Sequence, residues 1–237
     1  MAQVEVNQQK ETLDVTRGSG GKTFTSTTGP LLVYWGFCLA MGLVILRDEI
    51  FSLRIPEMWG KYPFFLAYAI LITLFNEWAY IKVARHDGRP FNLNNTIIFT
   101  LANGVCEVFA FMGFYRIFEG AAKLILEFVG FAPSSAGHEN IVADIIIFIF
   151  GFAGFVIYSG LVHALFWGRL LPRHFSSAPE VQKLRKALGL IQMLIVLGWC
   201  LYFWNTGDIW TLVILHLIID AVLMARVRPP LFTRREV

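Results

Sequence analysis

The chain has 237 residues, of which 56% are hydrophobic and 16% are charged, with a formal net charge of +3 and a mean hydropathy of +0.59. These values exclude an ordinary soluble domain and indicate a domain that lies in a lipid bilayer. The basic residues are spread over the polar segments, and no glycine-rich phosphate-binding motif is present. Nucleotide-binding and nucleic-acid-binding functions therefore have no support.

Residues 1–29 predict a polar, glycine-rich arm without the apolar segment of a secretory signal peptide, so we expect no such peptide. Residues 30–225 then predict six membrane spans, and residues 226–237 predict a basic cytoplasmic tail. We therefore expect an all-α, multi-pass membrane protein built as a six-helix bundle. The predicted spans are Leu31 to Leu46, Pro63 to Ile81, Thr96 to Phe118, Ile141 to Trp167, Ala187 to Trp204 and Ile209 to Ala225.

The connections between the spans differ in character. Arg47 to Tyr62 is amphipathic, and its Trp59 suits the headgroup level. Glu119 to Asn140 begins as a separate amphipathic segment and is expected to break at Pro133.

The distribution of Lys and Arg predicts the orientation of the spans. With the N-terminus inside, the inner segments carry fifteen of these residues and the outer segments carry four. This positive-inside bias places both termini in the cytoplasm. We expect the plasma membrane or another inner, energy-transducing membrane.

The three cysteines, Cys38, Cys106 and Cys200, fall within apolar runs, and no C-x-x-C pair occurs. We therefore expect buried, reduced thiols rather than a disulfide framework or a zinc knuckle.

Five ionisable residues lie within the inner half of the predicted bilayer: Glu77, Glu107, His163, His216 and Asp220. A charged group at the centre of a membrane helix costs about 2.5–3.5 kcal/mol on insertion scales, so such residues rarely lie there unpaired. Their similar depth makes a shared site a reasonable hypothesis, although equal depth does not require the helix faces to converge. Arg116 and Asp144 are nearer the outer surface and are expected to be structural.

A structural explanation stays open for each of the five. His216 and Asp220 lie four residues apart on one helix face and are expected to bond each other. Glu77 is near enough to the interface to reach water, and His163 fits an interfacial histidine. Glu107 fits a protonated, hydrogen-bonded residue.

The order of these residues resembles the CPBP family of glutamic-type intramembrane proteases, which includes the CAAX-prenyl endopeptidases. GDIWTLVILHLIIDAVLM is similar to the last motif of that family, with His216 and Asp220 in the matching positions. His163 in FVIYSGLVHALFW matches the middle histidine, and Glu107 in CEVFAFMGFYR falls where the family has a glutamate pair. The motif E-E-x-x-x-R of the family reads C-E-V-F-A-F here, so one glutamate and the arginine are replaced. The resemblance covers residues 102–225.

The resemblance implies an intramembrane peptidase or hydrolase. In such enzymes a carboxylate activates water, and histidines with an Asn or Asp polarise the scissile carbonyl. Glu107 would then be the general base, His163 and His216 would stabilise the oxyanion, and Asp220 would orient His216. The candidate binding residues are Glu77, Asn103 and Cys106. If Cys106 occupies the position of the activating glutamate, the site would be inactive.

Two other classes of function stay open: a non-enzymatic membrane subunit or scaffold that binds a protein, lipid or pigment, and a proton-coupled transporter. No cofactor is expected. A metal ion held by Glu107, His163, His216 and Asp220 is the weaker alternative. The expected partners are the bilayer and a membrane protein or lipid-modified substrate; the oligomeric state is not predicted.

Overall fold

The computed structural model describes residues 27–53, 55–86, 88–131 and 140–232. In these residues six helices are long and apolar enough to cross a membrane, which confirms the predicted all-α, multi-pass bundle. The helices are α1 (Thr28–Ile45), α2 (Pro63–Val83), α3 (Leu93–Phe128), α4 (Ile141–Val162), α5 (Gln182–Thr206) and α6 (Ile209–Arg226).

Local sequence signals begin and end these helices. Pro63 opens α2 at a position where a helix needs no backbone N–H. Asn92, Asn140 and Asp208 cap α3, α4 and α6, because the side-chain oxygen of each accepts hydrogen bonds from the first helical turn. Gly207, with a φ of 65°, ends α5 in the left-handed conformation that glycine adopts without strain.

The third span is longer than predicted. We expected it to end at Phe118, followed by a separate amphipathic segment, but α3 continues to Phe128 over 36 residues. Glu119 supports the continuation, because Arg116 and Lys123 pair with it at 2.5 and 2.7 Å from positions one turn away on the same helix. At ~1.5 Å per residue the helix exceeds the hydrocarbon thickness, so one end projects beyond it. The predicted break at Pro133 lies outside the described residues.

Helix α3 is central and packs against α1, α4 and α6, while α2 packs against α5. Glycines allow the close approaches. A Cβ atom at Gly42 of α1 would lie 2.5 Å from Phe109 of α3, and one at Gly154 of α4 would lie 2.7 Å from the backbone oxygen of Phe114. Small residues at such crossings are typical of helix packing in membranes.

The segments between the helices gather at two ends of the bundle. At one end, the residues after α2 meet the segment between α4 and α5, where Ala84 and Phe175 form an isolated antiparallel bridge. At the other end, Trp59 donates to Thr211 at 2.8 Å, and Trp210 donates to the backbone oxygen of Ile50 at 2.9 Å. Segments predicted to share a side of the membrane therefore do meet in space.

The structure describes part of the predicted arm and part of the predicted tail. Helix α1 begins at Thr28, inside the predicted arm, and the rest of the arm, residues 1–26, lies outside the described residues. The described part of the tail, which ends at Phe232, lies against the bundle: Leu231 is fully buried, and the ring of Phe232 lies 6.0 Å from that of Trp35. The apolar Leu231 and Phe232 supply the reason, since packing them removes apolar surface from water.

All three cysteines are buried and free of disulfides, as predicted.

Candidate functional site

Polar residues from four of the six spanning helices, and from the helical turn that follows α4, line one cavity of about 930 Å³. Its deep part contains the carboxylic acids Glu77, Glu107 and Asp220, which are 2–5% exposed. The helix faces that carry these three acids therefore do converge on one cavity. The other polar lining residues from the predicted spans are Asn76, Tyr80, Asn103, His163, Trp167, Gln192 and His216.

Glu107 is the most connected acid of the cavity. Its Oε1 atom accepts hydrogen bonds from the Tyr34 hydroxyl at 2.7 Å and from the Trp167 indole at 2.6 Å. Its Oε2 atom lies 3.1 Å from Nε2 of His216. Donors from three other helical segments therefore fix both oxygens of a carboxylate that is only 2% exposed.

Asp220 has a different partner from the one expected. Its Oδ2 atom lies 3.6 Å from Nε2 of His216, too far for a hydrogen bond. Instead Asn103 donates its amide to both oxygens of Asp220, at 3.3 and 3.1 Å. The carbonyl oxygen of Asn103 in turn accepts from the Trp35 indole at 3.0 Å. The expected His216–Asp220 hydrogen bond is therefore replaced by His216–Glu107 and Asp220–Asn103.

His163 lies on a local change in helix geometry. A π-helical turn, His163–Trp167, follows α4 and continues into a single α-helical turn, Gly168–Leu170. Such turns occur frequently at functional sites. This one brings both His163 and Trp167 to the cavity, and Nδ1 of His163 lies 2.7 Å from the backbone oxygen of Ser159. Because a carbonyl only accepts, Nδ1 carries a proton, and Nε2 accepts in the neutral ring and donates in the doubly protonated ring.

Glu77 is more buried than its nearness to the interface suggested. It is 5% exposed, and one of its oxygens accepts from the Asn76 amide at 2.7 Å. No hydrogen bond to Glu107, His216 or Asp220 accompanies this contact in the described part of the chain. Glu77 thus shares the cavity without joining the hydrogen-bonded network.

Of the other candidate binding residues, Asn103 lines the cavity and Cys106 does not. Cys106 is 8% exposed and belongs to the apolar core. Arg116 lies at the opposite end of the bundle, where it pairs with Glu49 at 2.9 Å. That contact agrees with the structural role expected for Arg116.

Sequence reasoning missed the aromatic donors Tyr34, Trp35 and Trp167. Aromatic residues in apolar spans also fit contact with lipid, so hydropathy alone does not mark these three as part of a site. The signal was nevertheless present, because a Tyr hydroxyl or Trp indole within a span needs a hydrogen-bond partner.

The cavity mouth is formed by the segment between α4 and α5 together with the residues after α2. Nε2 of His174 lies 2.9 Å from the Tyr80 hydroxyl, and Nδ1 lies 2.8 Å from the backbone oxygen of Pro172. Burial disfavours the charged imidazole and lowers the pKa of His174 below its ordinary value, although the bond to Pro172 acts in the opposite direction.

In the described ranges, no group of three or more His, Cys, Asp or Glu side chains has an arrangement suited to hold a metal ion. This observation does not test the expectation that the chain has no cofactor, which stays a prediction.

No protein-family model, curated protein or solved structure matches this chain significantly.

Proposed function

We propose that this integral membrane protein is a hydrolase that cleaves an amide or ester bond inside the membrane cavity, with Glu107 as its general base. The observation that carries the proposal is the buried contact of 3.1 Å between Glu107 and His216. These residues are 109 positions apart, and both line a cavity that also contains His163 and Asp220. A fixed carboxylate that contacts one imidazole and shares a cavity with a second provides the groups that water activation and carbonyl polarisation require.

In the proposed reaction, Glu107 accepts a proton from a water molecule while the water oxygen forms a bond to the substrate carbonyl carbon. The oxyanion accepts hydrogen bonds from His163 and His216, each with a proton on both ring nitrogens, because Nδ1 of His163 already donates to Ser159 and Nε2 of His216 already contacts Glu107. The tetrahedral intermediate then expels the amine or alcohol, which takes the proton held by Glu107. Tyr34 and Trp167 hold Oε1 of Glu107, so Oε2 is the oxygen that exchanges the proton.

The departures from the CPBP pattern favour a second function, that of a non-enzymatic scaffold. Glu107 already accepts two hydrogen bonds and contacts His216, which is also what a purely structural buried carboxylate requires. The two functions differ in what Glu107→Gln would do.

Glu107→Gln keeps an oxygen that can accept from Tyr34 and Trp167 but cannot accept a proton from water. Cells that lack the chain would be complemented with wild type, Glu107→Gln, Cys106→Ser or Glu127→Gln, and membranes with equal abundance of each protein would be compared. Glu127 is an exposed acid on the same helix and serves as the matched control. The readout is quantitative profiling of peptide termini and lipid products.

We expect wild type, Cys106→Ser and Glu127→Gln to yield the same products, and Glu107→Gln to lower their formation by ~10²–10⁴-fold. Product levels at the wild-type value in Glu107→Gln would end the hydrolase proposal and leave the scaffold. A loss in Cys106→Ser alone would move the chemistry to the thiol.

A further inference from the structure

Three arginines line the mouth of the cavity: Arg85, Arg173 and Arg185. They come from three different segments, namely the residues after α2, the segment between α4 and α5, and the beginning of α5. Two backbone hydrogen bonds hold the first two segments together: Arg85 donates to His174 at 2.8 Å, and Ser176 donates to Val83 at 2.8 Å. The convergence of the three arginines is therefore built into the fold.

The arginine side chains are exposed and available to a ligand. The ion pairs found in the described ranges involve other residues. The guanidinium of Arg185 contacts two neutral groups, the backbone oxygen of Ser176 at 3.4 Å and the ring of Phe175 at 5.8 Å. A guanidinium presents a planar set of donors that matches a carboxylate or phosphate.

Charge is segregated along the cavity. The mouth carries three guanidinium groups, and the deep part carries the acids Glu77, Glu107 and Asp220. An anionic group is attracted to the guanidinium groups of the mouth, so we expect it at the level of the arginines. Apolar side chains also line the cavity and suit a hydrocarbon chain: Phe99, Leu171, Phe175, Leu188, Ile219 and Leu223.

We propose that the cavity binds an anionic, single-chain amphiphile. Its phosphate or carboxylate head contacts Arg85, Arg173 and Arg185, and its chain lies along the apolar wall. This inference concerns binding alone and goes beyond the proposed hydrolysis. A binding measurement tests it whether or not the chain is an enzyme.

The first experiment compares ligand binding after removal of the three mouth charges with ligand binding after removal of three surface charges. The full chain would be placed in nanodiscs of zwitterionic phosphatidylcholine and titrated with dodecyl phosphate, with empty nanodiscs as the blank. The test variant is Arg85→Gln/Arg173→Gln/Arg185→Gln. The control variant is Lys82→Gln/Lys183→Gln/Lys186→Gln, which removes the same charge from exposed lysines that do not line the cavity.

We expect the arginine variant to weaken the binding of dodecyl phosphate by at least ~100-fold, because each charge-assisted hydrogen bond contributes about tenfold or more. The lysine variant should change it by about twofold or less, since exposed charges are screened by salt. Equal losses in the two variants would indicate general surface attraction and overturn the proposal. Unchanged binding in the arginine variant would overturn it as well.

The second experiment tests whether the chain of the ligand enters the cavity. Gly189 lines the cavity, and a Cβ atom built there meets nothing within 4 Å, so Gly189→Leu fills space at the mouth without disturbing the packing. We expect Gly189→Leu to weaken dodecyl phosphate binding while the unfolding temperature stays at or above that of wild type, because glycine is a poor helix former.

Binding of inorganic phosphate tests whether the natural ligand is an amphiphile or a small anion. We expect it to bind much more weakly than dodecyl phosphate, because it buries no chain. Equal affinity for the two probes, together with full binding in Gly189→Leu, would assign the arginines to a small anion and refute the amphiphile.

Discussion

Nε2 of His216 lies 3.1 Å from Oε2 of Glu107, whereas it lies 3.6 Å from Oδ2 of Asp220, its neighbour one helical turn away. The imidazole therefore links α6 to α3 rather than closing a pair within α6. Asp220 is stabilised by Asn103 of α3 instead. Two separate polar contacts thus join the same two helices inside the membrane, and each can be removed by substitution.

Removal of the His216 imidazole should destabilise the chain more than removal of the His163 imidazole. His216→Ala removes the imidazole that lies beside both Glu107 and Asp220, and breaking a buried pair typically costs about 3–5 kcal/mol. His163 is exposed in the cavity and bonds a backbone oxygen of its own helix, so His163→Ala should cost below ~1 kcal/mol. Asp220→Asn should be mild, because an amide oxygen still accepts from Asn103. Thermal unfolding in detergent measures all three, and a smaller effect for His216→Ala than for His163→Ala would contradict the assignment.

The aromatic donors of Glu107 are expected to position it. Tyr34→Phe removes the hydroxyl that donates to Oε1 at 2.7 Å and should destabilise the chain by about 1.5–3 kcal/mol, as expected for a hydrogen bond to a charged group. Tyr68→Phe is the matched control, because that hydroxyl donates to the neutral backbone oxygen of Leu194. Its loss should cost about 0.5–1.5 kcal/mol.

A second measurement on Tyr34→Phe separates positioning from plain stability. If Glu107 is the base, the pH profile of product formation should change in Tyr34→Phe and stay at the wild-type profile in Tyr68→Phe. Equal profiles in all three proteins would assign Tyr34 a structural role only.

His174 predicts a dependence of stability on pH. Its pKa is lowered in the folded chain by burial, so the unfolded chain binds more protons in the window below its ordinary value of about 6.5. The contribution of the neutral imidazole to stability is therefore complete above that value and is lost as the pH falls toward the lower, folded pKa. We expect His174→Gln to reduce the loss of unfolding temperature between about pH 7.5 and pH 5.5 relative to wild type. Equal slopes for wild type and His174→Gln would refute the prediction.

The orientation predicted from the charge bias can be tested with single cysteines. The native cysteines are buried, so the unsubstituted chain serves as the blank. A membrane-impermeant thiol reagent added to sealed cells should label Lys61→Cys and Val129→Cys, and it should label Arg85→Cys and Arg173→Cys only after the membrane is opened. All four positions are exposed. Labelling of Arg173→Cys in sealed cells would reverse the orientation.

The sequence by itself determined how many helices are long and apolar enough to cross a membrane, and it predicted how deep the polar residues lie. Span length follows from the hydrocarbon thickness, and depth follows from the rise per residue, so both can be obtained from hydropathy along the chain. Local side chains likewise mark the helix ends, as Asp208 and Gly207 do at the turn between α5 and α6.

Only the tertiary structure decided which polar groups meet. The partners of Glu107 lie 60, 73 and 109 residues away, at Trp167, Tyr34 and His216. Hydropathy sets the position of a helix along the membrane normal but leaves its rotation about its own axis undetermined. That rotation follows from side-chain packing between helices, such as Gly42 against Phe109, and a different rotation of α6 would turn His216 away from Glu107.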